Sequence, residues 1–362
     1  MKTQELHAPF YNPLISYEEN LEKGPFGAFA DDEEYQFTTA PQHDFLGFKV
    51  HQPFGIAAGP LINGKFVTAA FDKGFSLAVY KTVRTAKYPC HPWPNVLPVN
   101  TPEKLTAEIG AEGITTKPNY TAPLSITNSF GVPSADPKFW QEDLRKCVLK
   151  AKNGQVVIGG FQGTVPTESQ NSTKGYIDDF VQAAQLTLET GVPILEANLS
   201  CPNEGTGNLL CFDTNRTVEI LKNIRQAIGT TPLIIKTAYF SDDKQLTDFV
   251  EKVAPYIDAI SAINTIPAKV YTDANNHNPA LPGDSRLISG ICGDSIRWAG
   301  LAMTSKLAKI REAKGLNYKI IGVGGVNTPR HYKLYLQAGA DAVMCATGAM
   351  WNPYLAQEIA ET

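Results

Sequence analysis

The stretch KIIGVGGVNTPRHYKLYLQAGADAVMCATG (319–348) decides how this chain folds. An apolar run at 319–325 leads into residues of helical period at 328–338, and a second apolar run follows at 342–348. Near-continuously apolar runs on either side of a helix fit adjacent strands of a parallel sheet covered on both faces. Each run ends in a glycine turn, Gly322-Val323-Gly324-Gly325 and Thr347-Gly348, with helical sequence after it. Glycine lets backbone amides approach a ligand closely, and a helix N-terminus favours an anion.

The same rhythm extends upstream to Pro53. Apolar runs stand at 54–58 (FGIAA), 77–82 (LAVYKT), 156–161 (VVIGGF), 194–200 (ILEANLS), 233–238 (LIIKTA) and 259–265 (AISAINT). With the two already quoted they make eight. Helical stretches at 174–190, 214–228, 242–254, 295–314 and 349–361 lie between or after them. Eight strand–helix units predict a closed α/β barrel, the (β/α)₈ TIM barrel, over residues 51–362. Residues 1–50 are irregular and rich in acids, among them Glu18, Glu19, Glu22 and Asp31 to Glu34, and read as an N-terminal extension that covers the barrel. Two connections, Arg84 to Pro137 and Ile266 to Asp294, exceed ordinary barrel loops and are expected over the C-terminal mouth as lids or binding loops.

Composition narrows the function. The chain has 362 residues, 43% of them hydrophobic, and a net charge of −4. That is ample for a large core and lacks the basic bias that collects nucleic acid. No apolar run approaches the ~18 residues a membrane span needs, and Met1 to Tyr11 has no apolar core of a signal peptide. The cysteines (Cys90, Cys147, Cys201, Cys211, Cys292 and Cys345) form no CxxC pair, so neither a zinc site, an iron–sulfur site nor a disulfide framework is expected. Most of them read as free thiols in a reducing cytoplasm.

Polar residues inside a strand need a hydrogen-bonding reason, and barrel active sites lie at the C-terminal strand ends. Here such residues gather at those ends: Lys81, Asn198, Cys201, Asn203, Lys236, Asn264 and Thr265. Pro202 stops regular structure and leaves Cys201 on a loop over the mouth. Lys236 sits in an apolar strand and implies an anionic partner: a phosphate, an electron-rich ring edge, or a carboxylate on a neighbouring strand. The glycine turns of the last two strands mark the place where many barrels hold a phosphate.

Taken together, NLSCPN (198–203), AAG (57–59), Lys81, NSFG (128–131), IIK (234–236), NT (264–265), GICG (290–293), GVGGV (322–326) and Thr347-Gly348 resemble the dihydroorotate dehydrogenase family, in its soluble class with a cysteine base. The resemblance covers about 53–350. It implies that Ala58, Gly59, Lys81, Thr82, Lys236, Gly293, Gly324, Gly325, Thr347 and Gly348 hold FMN. Lys81, Asn128, Asn198, Asn203, Asn264 and Thr265 would hold the substrate, dihydroorotate or orotate. Cys201 would take a proton from ring carbon five while a hydride leaves carbon six for the flavin. A second electron acceptor is required, whether fumarate, NAD through a partner subunit or another, and a homodimer is expected. Rival readings are a flavin barrel acting on another dihydropyrimidine and an RNA-modifying dihydrouridine synthase; the acidic balance opposes the second.

Overall fold

The computed structural model describes residues 6–164, 173–200, 209–274, 277–283 and 286–362. Helix α1 (Tyr17–Lys23) and the hairpin β1 (His43–Phe45) and β2 (Phe48–Val50) precede the repeating units. Then follow β3 (Phe54–Ile56), α2 (Gly64–Asp72), β4 (Leu77–Val83), β5 (Val99–Asn100), α3 (Ala107–Glu112), β6 (Ile114–Thr116), β7 (Ser125–Asn128), α4 (Pro137–Lys150) and β8 (Val156–Phe161). Next come α5 (Thr173–Leu188), β9 (Ile194–Asn198), α6 (Thr214–Ile228), β10 (Leu233–Thr237), α7 (Asp243–Val253), β11 (Ala259–Ala262), β12 (Ile266–Tyr271) and β13 (Ile288–Gly293). The chain continues through α8 (Arg297–Lys314), β14 (Lys319–Val323), α9 (Pro329–Gln337), β15 (Ala342–Cys345), α10 (Thr347–Trp351) and α11 (Leu355–Ala360).

Strands β3, β4, β8, β9, β10, β11, β14 and β15 close into a parallel eight-stranded barrel. They are the eight apolar runs of the sequence. The helices start where capping chemistry lets them. Asp136 and Thr328 accept backbone N–H bonds ahead of Pro137 and Pro329, which occupy a first helical position where no N–H is needed. Helix α8 stops at Gly315, whose φ of 61° suits a left-handed cap. The expected last helix, 349–361, is instead two short helices separated at Asn352-Pro353-Tyr354. Proline cannot donate the helical hydrogen bond and clashes with the preceding turn.

Period-two alternation sorts each strand into two faces. Inward-facing Leu77, Val79, Val156, Ile158, Ile194, Ile234, Ala259 and Ile321 form an apolar plug inside the barrel, and Phe45 and Val50 of the hairpin join it. Outward-facing Ala78, Tyr80, Val157, Leu195, Leu233 and Ile235 pack with helix residues such as Phe180, Leu221, Phe249 and Met303. The plug fills only the lower part of the barrel. One step further along the same inward rows stand Lys81 after Val79, Glu196 and Asn198 after Ile194, Lys236 after Ile234, and Ser261 after Ala259.

The two long connections are more ordered than the sequence indicates. They combine into a five-stranded sheet in the order β5-β6-β12-β13-β7. Strand β13 runs antiparallel to both β12 and β7, with Gly290 opposite Asn128. They are therefore a shared platform and not separate loops. The two strands of β13's environment come from segments more than a hundred residues apart, and runs of two to six residues carry no local signal of their partner.

Candidate active site at the barrel mouth

Three cavities that share lining residues occupy the C-terminal end of the barrel. The first, about 760 Å³, is bordered by Ala58, Gly59, Asn128, Lys236, Asn264, Thr265, Gly293, Gly324, Gly325, Thr347 and Gly348, among others. A second of about 590 Å³ adds Lys81, Thr82, Glu196 and Asn198. A third of about 340 Å³ continues past Gly325, Asn327, Thr347 and Gly348. Every site residue expected from the sequence lines one of these cavities, except Cys201 and Asn203, which lie outside the described residues.

The side chains at the mouth orient one another. Asn198 donates through Nδ2 to Gln162 Oε1 at 2.7 Å and accepts from the Ser200 backbone N–H at 3.3 Å. Asn264 donates to the Ser200 carbonyl at 2.7 Å and lies 3.1 Å from the Ser200 hydroxyl. Leu199 accepts from the backbone N–H of Cys211 and donates to the Lys236 carbonyl. The residues on both sides of 201–208 are thus anchored to the rim. Among the described residues the buried Thr265 hydroxyl has no hydrogen-bond partner, although it borders the cavity. Gly290 is obligatory beside it, because a Cβ there would stand 2.3 Å from Thr265 Oγ1.

Lys236 is 4% exposed and Glu196 1%. Burial pushes the Lys236 ammonium down while the Glu196 carboxylate draws it up. Burial likewise pushes the Glu196 carboxyl up, against the pull of Lys236 and Ser261. Of the partners the sequence left open for Lys236, a neighbouring-strand carboxylate is nearby and acts on it through space and through the Ser261 hydroxyl, without a direct ion pair among the described residues. Cys292 lines the main cavity, where burial pushes its thiol to about 11. Thr347 Oγ1 donates to its sulfur at 3.3 Å.

The glycine turn after β14 is fixed from behind. Tyr335 Oη donates to the Gly324 carbonyl at 2.7 Å, and its ring fills space that Gly300 and Gly322 leave open. Tyr335→Phe should therefore lower stability by about 1–2 kcal/mol in urea unfolding, the cost of an orphaned buried carbonyl. Unchanged stability would mean that the turn needs no support from this hydroxyl.

Sequence reasoning missed several residues of the site: Tyr11 and Glu196, which line the cavities, and Gln162, which holds Asn198 from behind. Tyr11 comes from the N-terminal extension and borders the main cavity, stacked edge-on against Phe130. Nothing local marks it. Gln162 follows β8, and its role depends on Asn198 across the sheet. Glu196 was detectable: a carboxylate two residues before Asn198 shares its strand face.

The lining of the cavities suits an anionic cofactor. An unpartnered buried hydroxyl at Thr265 and a buried cation at Lys236 face one end. The other end is bounded by Gly325, Thr347 and Gly348, at the first turn of α10, whose leading amides have no partner within the helix. Where a Cβ of Gly59 would stand there is open space, and its φ of 144° is one that few other residues adopt. None of the described helices is long and apolar enough to cross a membrane.

Comparison with known proteins agrees with this geometry. The family model described as dihydroorotate dehydrogenase matches residues 41–362. A dihydroorotate dehydrogenase of Dictyostelium discoideum is 34% identical, over 98% of this chain and 97% of that protein. The catalytic subunit of dihydroorotate dehydrogenase B (NAD(+)) from Thermodesulfovibrio yellowstonii is 28% identical over 67% of this chain and 73% of that one. The crystal structure of the Eimeria tenella enzyme DHODH in complex with ferulenol shares the fold, with a TM-score of 0.70 at 17% identity, covering 92% of this chain and 87% of that one.

Proposed function

The chain belongs to the dihydroorotate dehydrogenase family, an oxidoreductase family, and from that premise we propose that it oxidises dihydroorotate to orotate in pyrimidine biosynthesis, with FMN as its resident flavin and Cys201 as base. The observation that carries this reading is convergence. Lys81, Asn128, Asn198, Lys236, Asn264 and Thr265 come from separate segments and border cavities that share lining residues.

FMN, when bound, supplies a two-electron acceptor for a hydride from the substrate. The chain supplies the rest. Ala58, Gly59, Thr82 and Gly293 would line the flavin's berth, with Gly324, Gly325, Thr347 and Gly348 at its phosphate end. Lys236 would place positive charge at the electron-rich edge of the ring, a protein's means of tuning this cofactor. The asparagine amides offer donor and acceptor together, which matches the amide edges of a pyrimidine. Lys81 meets the substrate carboxylate. Converging amides also reject analogues that would leave them unpaired.

Cys201 removes the proton from ring carbon five. The described residues that precede it are held at the rim, Ser200 by Asn264 and Leu199 by Lys236 and Cys211. Asn203, on the same segment, joins the substrate contacts. A second acceptor closes the cycle. We read residues 51–362 as the catalytic barrel and 1–50 as an extension that contributes Tyr11 to the site. The reading carries with it a cytoplasmic homodimer.

Anaerobic mixing of the purified protein with dihydroorotate, followed by flavin absorbance, tests the proposal. Bleaching by dihydroorotate but not by dihydrouracil is the expected result; the reverse selectivity would assign the enzyme to another dihydropyrimidine.

Thr265 allows binding to be separated from folding. Its hydroxyl has no partner to lose among the described residues, so Thr265→Val should leave stability within ~0.5 kcal/mol. The same change should raise KM for dihydroorotate roughly 5–20-fold, the worth of one hydrogen bond to a ligand. A stability loss with unchanged KM would remove Thr265 from the substrate site.

A further inference from the structure

The inward rows of the barrel hold one charged group that the proposed chemistry leaves without a role. Glu196 projects from β9 into the second cavity, one layer above the apolar plug. It is 1% exposed, and among the described residues its Oε2 has no hydrogen-bond partner. On the adjacent strand, Lys236 lies one register step further toward the mouth, opposite Asn198, while Ile234 is opposite Glu196. The Ser261 hydroxyl lies 3.4 Å from Lys236 Nζ and also favours the ionised carboxylate of Glu196.

Packing alone does not require a carboxyl here. The corresponding inward positions one layer below are Ile158, Ile194, Ile234 and Ala259. A buried carboxylate is costly unless a cation and hydrogen bonds offset its lost hydration. A buried lysine without an anion would shed its proton for the same reason. Each group therefore depends on the other for its charge.

We infer that Glu196 is a positioning residue for Lys236, holding its ammonium at the cavity floor and keeping it protonated through the neutral range for the ligand edge above it. The inference rests on the reading of the cavity as a flavin site. The other groups facing the pair do not supply this charge. Strand β8 presents Gly160 opposite Glu196, and β11 presents Ser261 opposite Lys236. Among the described residues lining that cavity, the third charged group is Lys81, a cation that opposes protonation of Lys236.

The test reads the midpoint potential of the bound flavin in the holoenzyme as a function of pH. Wild type, Glu196→Gln and the double variant Glu196→Gln/Lys236→Met are compared. Glutamine keeps the shape and removes the charge. In Glu196→Gln, Lys236 should lose its proton within the measured range, giving a break in the potential–pH line that wild type lacks. On the alkaline side the reduction equilibrium should be at least tenfold less favourable, a fall of about 30 mV for a two-electron couple. The double variant should show no such break, which ties it to the Lys236 amine. Should Glu196→Gln fail to load flavin, Ser261→Ala carries the test: the hydroxyl between the partners is lost, and a smaller break should appear at higher pH. Lines parallel to wild type in whichever of these two variants loads flavin would overturn the inference. Because dihydroorotate is absent from the measurement, failure here is distinguishable from failure of the proposed reaction, and a colourless wild-type protein would overturn the flavin reading itself.

Discussion

Cys201→Ala should yield a folded, flavin-loaded protein that dihydroorotate no longer bleaches at a useful rate. A positioned general base contributes roughly 10²–10⁴-fold to a proton transfer, and flavin reduction in single turnover should slow by that factor. The loss should be confined to chemistry. The anchors at Leu199, Ser200 and Asn264 are backbone and neighbouring side-chain bonds that the substitution leaves in place. FMN content and the dissociation constant for orotate should therefore change little. A free thiol ionises near pH ~8.5, so the wild-type rate should rise with pH until the thiolate is fully formed. Cys201→Ser, whose hydroxyl ionises far less readily, should retain slow turnover and shift this rise to higher pH. Stopped-flow absorbance of the flavin under anaerobic conditions measures all three proteins. A wild-type rate in Cys201→Ala would end the assignment of this residue as base.

The second large effect is expected from a residue that the sequence did not single out. Arg286 is 3% exposed and donates five hydrogen bonds: to the Ser129 hydroxyl and carbonyl, and to the carbonyls of Pro92, Pro94 and Pro282. Asn95 adds bonds to His91 and to the same Ser129 carbonyl. Together they tie the 91–95 segment and Pro282 to the residue that follows Asn128. A planar guanidinium can satisfy several acceptors at fixed angles, whereas an ammonium is limited to three donors on a flexible stem. Arg286→Ala orphans a set of buried carbonyls at once. It should lower stability by on the order of 3–5 kcal/mol and raise KM for dihydroorotate as Asn128 loses its support. Arg286→Lys should restore less than half of the stability. Urea unfolding and steady-state kinetics on the three proteins check this. Unchanged values in Arg286→Ala would mean that the platform holds itself together without the clamp.

The positions of the barrel strands could be read directly, and so could the rim residues on them. Lys81, Asn198, Lys236 and Asn264 stand out because a polar side chain in an apolar run has few structural excuses. The run ILEAN also contained Glu196, readable by alternation as a neighbour of Asn198 on one face, yet its partner Lys236 lies forty residues on and could be recognised only across the β9–β10 ladder. Arg286 illustrates a further limit. Its sequence surroundings resemble an ordinary loop, and its five acceptors come from three separate parts of the chain.

Strand and helix alternation is a local property: apolar period, capping residues and proline positions act within a few residues, so the order of the eight units and the rim positions followed from the amino acids alone. Closure of the sheet turns that list into a site, because only the barrel brings strand ends far apart in the chain onto one ring. Pairing of β7, β12 and β13 into one platform, the burial of Glu196 beside Lys236 and the entry of Tyr11 into the cavity wall were decided by tertiary structure. Each depends on contacts between distant segments, whose free energy comes from shared burial and mutual hydrogen bonding and leaves no periodic trace in either segment.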